Sequence, residues 1–343
     1  MPKFVRTILV TGGAGFIGAN FISRFTRRHP DMRIVDLDAL TYAAHPAVWA
    51  RQSESEGVVT VEGSIADAAL VRSLLERWNI DGIIHFAAES HVDNSVSDPM
   101  RFVRTNVEGT AVLLTEALRF WERKGWMEKA RFHHVSTDEV FGSLGAAGFF
   151  SETRPYAPSN PYSASKASSD LLAKAYAHTY GLGVTVSNCT NNYGPWQHAE
   201  KLIPTVMRSC LSGKRIPIYG TGRNIRDWIW VGDHCRAVEE IFFRAKAGSS
   251  YCIGARNERT NLEITTAVCR LLDELRPAAD GAPYEKLIRF VPDRPGHDLR
   301  YAIDPSKIER DLGWRAQTAF GEGLRRTVEW YLSDGSALLK AAA

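Results

Sequence analysis

The feature that most constrains the fold is a glycine-rich break between a short apolar run and an amphipathic segment near the N-terminus. Thr7-Ile8-Leu9-Val10 stops at Thr11-Gly12-Gly13-Ala14-Gly15-Phe16-Ile17-Gly18. Beyond it Phe16, Ile17, Phe21, Ile22 and Phe25 recur at the helical period, which predicts a helix ending near Pro30. A strand that passes into a helix this abruptly needs backbone without side chains. Glycines there let the chain turn tightly, let the helix pack on the strand, and let a phosphate approach the helix N-terminus. The alternation then repeats: strands are predicted over 33–38, 58–61, 82–86, 132–136 and 183–186, and helices over 69–78, 106–123 and 163–180. Strands alternating with helices specify an α/β chain built as a Rossmann-like doubly wound parallel sheet. After about residue 192 the pattern loosens, with Gly, Pro and Trp between shorter elements.

Composition narrows the possibilities by exclusion. A chain of 343 residues, 44% hydrophobic, can bury roughly three-quarters of its unfolded surface without disulfides or a structural metal. Lys plus Arg is 42 and Asp plus Glu is 39, a net charge of +3, so a strongly basic nucleic-acid surface is excluded. No apolar run approaches the ~18–20 residues needed to cross a membrane, and no signal architecture precedes the first strand. Cys189, Cys210, Cys235, Cys252 and Cys269 are odd in number and form no C-x-x-C. They read as buried thiols of a cytoplasmic protein, with no metal site.

Two constellations carry chemistry. In the first, Gly12, Gly15 and Gly18 open the helix and Asp38 closes the next strand about 20 residues on, the context of a dinucleotide fingerprint. Asp38 should accept hydrogen bonds from the adenosine ribose and favour NAD, because a carboxylate repels the 2′-phosphate of NADP. Asp36 competes for this role, and either residue alone also fits a solvated strand end. We therefore expect an NAD-binding domain over 1–190. A smaller, mainly substrate-binding subdomain follows over 191–343, with the chain crossing between them. In the second, Tyr162 and Lys166 stand one helical turn apart, on one face. A free phenol titrates near 10, too high for a base at neutral pH. A nearby ammonium and a cationic nicotinamide ring should both draw it down. By itself such a pair arises often by chance.

Together these residues resemble the extended short-chain dehydrogenase/reductase family. Ser136-Thr137-Asp138-Glu139-Val140-Phe141-Gly142 narrows the resemblance to nucleotide-sugar 4,6-dehydratases, those of dTDP-glucose most closely. So do Phe86-Ala87-Ala88-Glu89-Ser90-His91, Thr190-Asn191-Asn192-Tyr193-Gly194-Pro195, Ile225-Arg226-Asp227-Trp228 and Asp293-Arg294-Pro295-Gly296-His297. The likeness runs from residue 7 to about residue 330. It implies that Tyr162 deprotonates the sugar's carbon-4 hydroxyl, with Thr137 bonded to that oxygen. Glu139 would take the carbon-5 proton and Asp138 protonate the leaving carbon-6 hydroxyl. For that, Asp138 must rise by ~3 units, through desolvation and repulsion from Glu139. Adjacent carboxylates after a strand also simply begin many turns.

The resemblance further implies NAD contacts at Phe16, Ile17, Ser64, Ile65 and Ala87, besides the glycines, Asp38, Tyr162 and Lys166. It implies substrate contacts at Ser90, Asn191, Lys201, Leu202 and Asn261, a diphosphate clamp of Arg226, Arg294 and His297, and Pro217 and Tyr219 near the base. It also implies a homodimer joined through helices 101–124 and 163–180, using Val112, Leu113, Leu114, Leu118, Phe120, Leu171, Leu172, Tyr176 and Tyr180. His85, His91, His133 and His134 have no metal-ligand spacing and read as structural. The chain departs from the family pattern at Ala44-His45, Ser64, Asn94, Phe141 and His198-Ala199, which bears on cofactor retention and on which nucleotide sugar is used. A 4-epimerase shares everything except a need for Asp138 and Glu139. A catalytically silent NAD-binding regulator would be expected to have lost Tyr162, Lys166, Asp138 or Glu139.

Overall fold

The computed structural model describes residues 6–293 and 297–340. Strands in chain order are β1 (Thr7–Thr11), β2 (Arg33–Asp38), β3 (Val58–Glu62), β4 (Gly82–His85), β5 (Arg131–Thr137) and β6 (Val184–Cys189). They are followed by β7 (Asn191–Tyr193), β8 (Ile216–Tyr219), β9 (Ile225–Trp230), β10 (Ser250–Ile253), β11 (Glu258–Thr260) and β12 (Ile288–Val291). The main sheet has the order β10-β6-β5-β4-β1-β2-β3 and every pairing in it is parallel. A parallel sheet is covered on both faces, and β1, β4 and β6 are accordingly buried along their whole length.

Alternate residues of each strand feed opposite cores. Leu9, Ile83, Phe132 and Val184 pack with Val71, Leu75, Leu113, Leu114, Phe120 and Ala173 from helices Ala68–Trp78, Gly109–Lys124 and Pro161–Tyr180. Ile8, Val10, Ile84 and Val135 pack on the other face with Phe21, Ile22 and Phe25 of helix Phe16–Arg28 and with Val231, Cys235 and Val238 of helix Val231–Arg244. Leu113, Leu114 and Phe120, expected at a dimer seam, are instead core residues of this chain, whereas Leu171 and Tyr180 are exposed. Helix Val231–Arg244 and β10 return to the main sheet from beyond residue 190. A separate core of Ile203, Met207, Trp228, Ile264, Leu324 and Val328 lies among the C-terminal elements.

The predicted strands and helices are found, with shifted ends. The helix predicted from 106 begins earlier, through a π-helical stretch Val103–Glu108 that continues into Gly109–Lys124. That extra residue per turn leaves no mark in hydrophobic period, and such bulges cluster at functional sites. Here it buries Asn106, whose Nδ2 donates to Glu89 O at 3.0 Å and Ser165 Oγ at 2.8 Å. All five cysteines are free and buried. Among the described residues no helix is long and apolar enough to cross a membrane, and no group of side chains is arranged to hold a metal.

Candidate active site

In this strand order the connections reverse direction between β1 and β4, and ligands of open α/β sheets bind at such a switch point. A cleft of about 340 Å³ opens there, lined by Gly12, Gly15, Gly18, Asp38, Ser64, Ala87, Thr137, Tyr162 and Cys189 among others. Gly12 has φ 77, and a Cβ on it would stand 2.7 Å from the Ala87 amide nitrogen. A Cβ on Gly18 would meet the Gly12 carbonyl oxygen at 2.2 Å. Gly15 is the N-cap of Phe16–Arg28 and supplies no side-chain cap. Gly15, Phe16, Ile17 and Gly18 line the cleft, so the helix presents uncapped N–H groups where a diphosphate fits.

The structure separates the two candidate aspartates. Asp36 is fully buried, accepts the Gly13 N–H at 3.0 Å and does not line the cleft. Asp38 lines it, held by N–H groups of Ala14 and Leu40, each at 2.9 Å. Ser64 and Ile65 line the same end, with Ser64 Oγ also accepting the Ala66 N–H at 3.1 Å.

The reactive wall is built where β5 ends. Thr137 caps a 3-10 turn, Asp138–Phe141, by accepting the Glu139 N–H at 3.3 Å. The turn leaves Glu139 partly exposed and Asp138 only 1% exposed. Asp138 Oδ2 makes no hydrogen bond within the protein. Burial first, and the Glu139 charge second, push the Asp138 carboxyl up to about 8. At neutral pH it therefore holds a proton, beside a second carboxylate that can take one. The direction is the one expected from the sequence.

Tyr162 and Lys166 complete the wall from helix Pro161–Tyr180. Asn160 accepts the Ser163 N–H at 2.9 Å, while Ser163 Oγ accepts the Asn160 N–H at 3.2 Å. This capping box and Pro161 in the first turn fix where the helix starts, hence where Tyr162 points. Here the expectation that the ammonium draws the phenol down is not met. Burial, followed by the Glu139 charge, holds the Tyr162 phenol well above its ordinary value, opposed by a hydrogen bond with Thr137. Lys166 Nζ donates instead to Val135 O at 2.9 Å, and burial brings it down to about 8. The lysine is tied to the sheet, so lowering the phenol needs another positive charge in the cleft.

Ser90, Asn191 and Lys201 line the cleft with the cofactor and wall residues. Lys201 Nζ donates to Ser90 O at 3.3 Å. Leu202, Pro217, Tyr219, Arg226, Asn261 and His297 are not among its lining residues. Leu202 and Asn261 begin helices Leu202–Leu211 and Asn261–Leu275, and Pro217 and Tyr219 are exposed on β8. His297 Nδ1 lies 2.6 Å from Asp293 Oδ1, with its ring 6.4 Å from that of Tyr219. The Arg226 guanidinium stacks 4.0 Å over Tyr301 and donates to Ile225 O and Asp298 O, so its donors are partly used within the protein. Arg294 lies outside the described residues.

Sequence reasoning gave no site role to Gln197 and Glu200, which also line the cleft. Their position in the loop after β7, flanking the Asn191 and Lys201 already singled out, was the available signal. The departures at Ala44 and His198 lie in the cleft lining too, and Asn94 Nδ2 donates to Tyr42 Oη at 3.4 Å nearby. Phe141 is core, its ring 5.4 Å from that of Phe150. His85, His133 and His134 are buried and bonded to hydroxyls.

Comparison with known proteins gives the family. The family described as GDP-mannose 4,6 dehydratase matches residues 9–327. A dTDP-glucose 4,6-dehydratase of Xanthomonas campestris pv. campestris is 48% identical over 330 residues, 96% of this chain and 93% of that one. One from Escherichia coli K12 is 47% identical over 338 residues, covering 95% and 93%. DesIV, a dTDP-glucose 4,6-dehydratase of Streptomyces venezuelae solved with NAD and TYD bound, superposes at TM-score 0.88 with 44% identity, covering 96% and 98%. A Thermotoga maritima UDP-glucose 4-epimerase shares the fold at TM-score 0.83 with 25% identity, covering 96% and 99%. On sequence and fold alike, the chain belongs to the nucleotide-sugar 4,6-dehydratases, among those of the dTDP-glucose type.

Proposed function

We propose that the chain converts dTDP-glucose to dTDP-4-keto-6-deoxyglucose, with NAD as a resident cofactor. The observation that carries this reading is Asp138, a proton-bearing buried carboxyl beside Glu139 in the cleft that also holds Tyr162 and Lys166. Simple oxidation or epimerisation at carbon 4 has no use for that pair, whereas elimination of water needs one acid and one base.

Gly12, Gly15, Phe16, Ile17 and Gly18 would hold the NAD diphosphate, Asp38 the adenosine ribose, Ser64 and Ile65 the adenine side, and Ala87, Tyr162 and Lys166 the nicotinamide side. When bound, the cofactor supplies reversible hydride acceptance and a positive ring charge. Such a charge acts strongly on a buried phenol because the local dielectric is low. Tyr162 takes the carbon-4 hydroxyl proton while Thr137 bonds that oxygen. The carbon-4 ketone acidifies carbon 5, and Glu139 removes the proton there. Asp138 gives its proton to the carbon-6 hydroxyl, which departs as water. Glu139 returns its proton to carbon 5 once carbon 6 is reduced. The proton gained by Tyr162 then replaces the one lost from Asp138, so the net change is loss of one water.

Ser90, Asn191 and Lys201 would hold the sugar, and Leu202, Arg226, Asn261, Arg294 and His297 the diphosphate side, with Pro217 and Tyr219 at the base. Exposed Tyr219 beside His297 supports a stacking role. We further read 1–190 as the cofactor half and 191–343 as mainly the substrate half, crossed by β10. A cytoplasmic homodimer fits too, since Leu171 and Tyr180 stand exposed on helix Pro161–Tyr180. A monomer in equilibrium sedimentation at micromolar concentration would reject the dimer. For the activity, Glu139→Gln should still oxidise carbon 4 but yield no product lighter by one water. Full dehydration by that variant would refute the role of Glu139.

A further inference from the structure

Two loops meet at the end of the cleft that Asp38 marks. One, residues 39–45, follows β2; the other, residues 194–201, follows β7. Thr41, Ala43 and Ala44 of the first and Gln197, His198 and Glu200 of the second line the cleft. His45 closes the first loop as the N-cap of helix Pro46–Ser53. Its backbone is fixed on the glycine turn, with its N–H donating to Ala14 O at 2.9 Å. Gln52 Nε2 of the same helix donates to Gly13 O at 2.9 Å.

The His45 side chain does not cap its own helix. It is buried and turns to the other loop, where Nε2 lies 2.6 Å from Trp196 O. A carbonyl only accepts, so Nε2 carries the proton and donates. Trp196 has φ 66, a left-handed backbone that a bulky residue rarely adopts. Such a conformation persists only where the surroundings hold it. On the outer side Asn20 Nδ2 of helix Phe16–Arg28 donates to Pro195 O at 2.9 Å, Tyr331 Oη donates to Gln197 O, and the Trp330 ring stands 4.8 Å from that of Trp196. From the first loop come the His45 bond and the Tyr42 ring, edge-on to His198 at 5.6 Å.

We propose that His45 is a positioning residue that clasps loop 194–201 against loop 39–45 and thereby slows the release of NAD. This deepens the functional reading and rests on it, since it takes the Asp38 end of the cleft as the adenosine site. His45 and His198 are both places where the chain departs from its family's pattern. The lost glycine before His45 is therefore offset by a bond that joins the two loops.

The test is cofactor exchange. Protein loaded with radiolabelled NAD is chased with unlabelled NAD, and the label left on the protein is followed after desalting. His45→Ala should lose label about tenfold faster than the unaltered protein, the scale of one lost hydrogen bond that leaves a carbonyl unpaired. His45→Gln keeps an N–H donor and should restore slow exchange. With NAD saturating, kcat and the KM for dTDP-glucose should stay within about twofold in both variants, because His45 touches neither the reactive wall nor the sugar side. Unchanged exchange in His45→Ala overturns the proposal, and so does a His45→Gln that exchanges as fast as His45→Ala. Should His45→Ala fail to fold, Asn20→Ala releases the same loop at Pro195 O and should also speed exchange; an unaltered rate there overturns the clasp. Unaltered protein that holds no label would refute the cofactor site itself, and the clasp with it.

Discussion

Replacing Asp138 by asparagine should slow dehydration steeply and yet stabilise the fold, increasingly so as pH rises. Unfolded, Asp138 loses its proton around the ordinary value of 3.8; folded, it keeps it to about 8. Between those two values the folded chain binds more protons than the unfolded one, so this residue's contribution to stability falls as pH rises. The slope is about 1.4 kcal/mol per pH unit for a single site. Over the roughly three units from its ordinary value to pH 7 the loss sums to about 4 kcal/mol, less where Glu139 shares the titration. Asparagine is neutral in both states and escapes the loss. Urea unfolding of both proteins from pH 4.5 to 8.5 should therefore show a gap that grows in the variant's favour and levels off near 8. Turnover should drop about 10²–10⁴-fold, the usual worth of a general acid. A stability gap independent of pH would mean that Asp138 is ionised in the native protein, and the acid role would fall with it.

Other perturbations test neighbouring parts of the account. Gly12→Ala forces a side chain onto φ 77 and against the Ala87 nitrogen. It should cost about 1–3 kcal/mol in urea and weaken NAD binding in a fluorescence titration. Asn160→Ala removes the cap that accepts the Ser163 N–H. It should cost about 1 kcal/mol, read as a lower Tm, and should lower kcat more than it raises KM, because Tyr162 begins the same helix.

Much of this fold was legible because its signals are local. Strand 33–38 was read with the ends the structure shows, since Ile34, Val35 and Leu37 are a short buried apolar cluster bounded by polar residues. The π-helical stretch Val103–Glu108 was not, because one added residue in a turn is decided by what Asn106 bonds across the fold. Asp38 was preferred for the ribose, with Asp36 kept as a competitor, for a similar reason. Both lie in the same strand two residues apart, and only packing shows that Gly13 occupies Asp36 while Asp38 reaches the cleft. The spacing of Tyr162 and Lys166 correctly placed both on one wall, but it could not show that the lysine bonds Val135 O. Spacing reports faces of an element. Burial and partners across the sheet decide charge.

The most direct measurement starts from dTDP-glucose carrying deuterium at carbon 4. If one cleft oxidises carbon 4, expels water across carbons 5 and 6 and reduces carbon 6, the product is lighter by one water. It also carries the deuterium at carbon 6, with no reductant added. Product of unchanged mass with the label still at carbon 4 would identify an epimerisation, and the account built on Asp138 and Glu139 would be wrong.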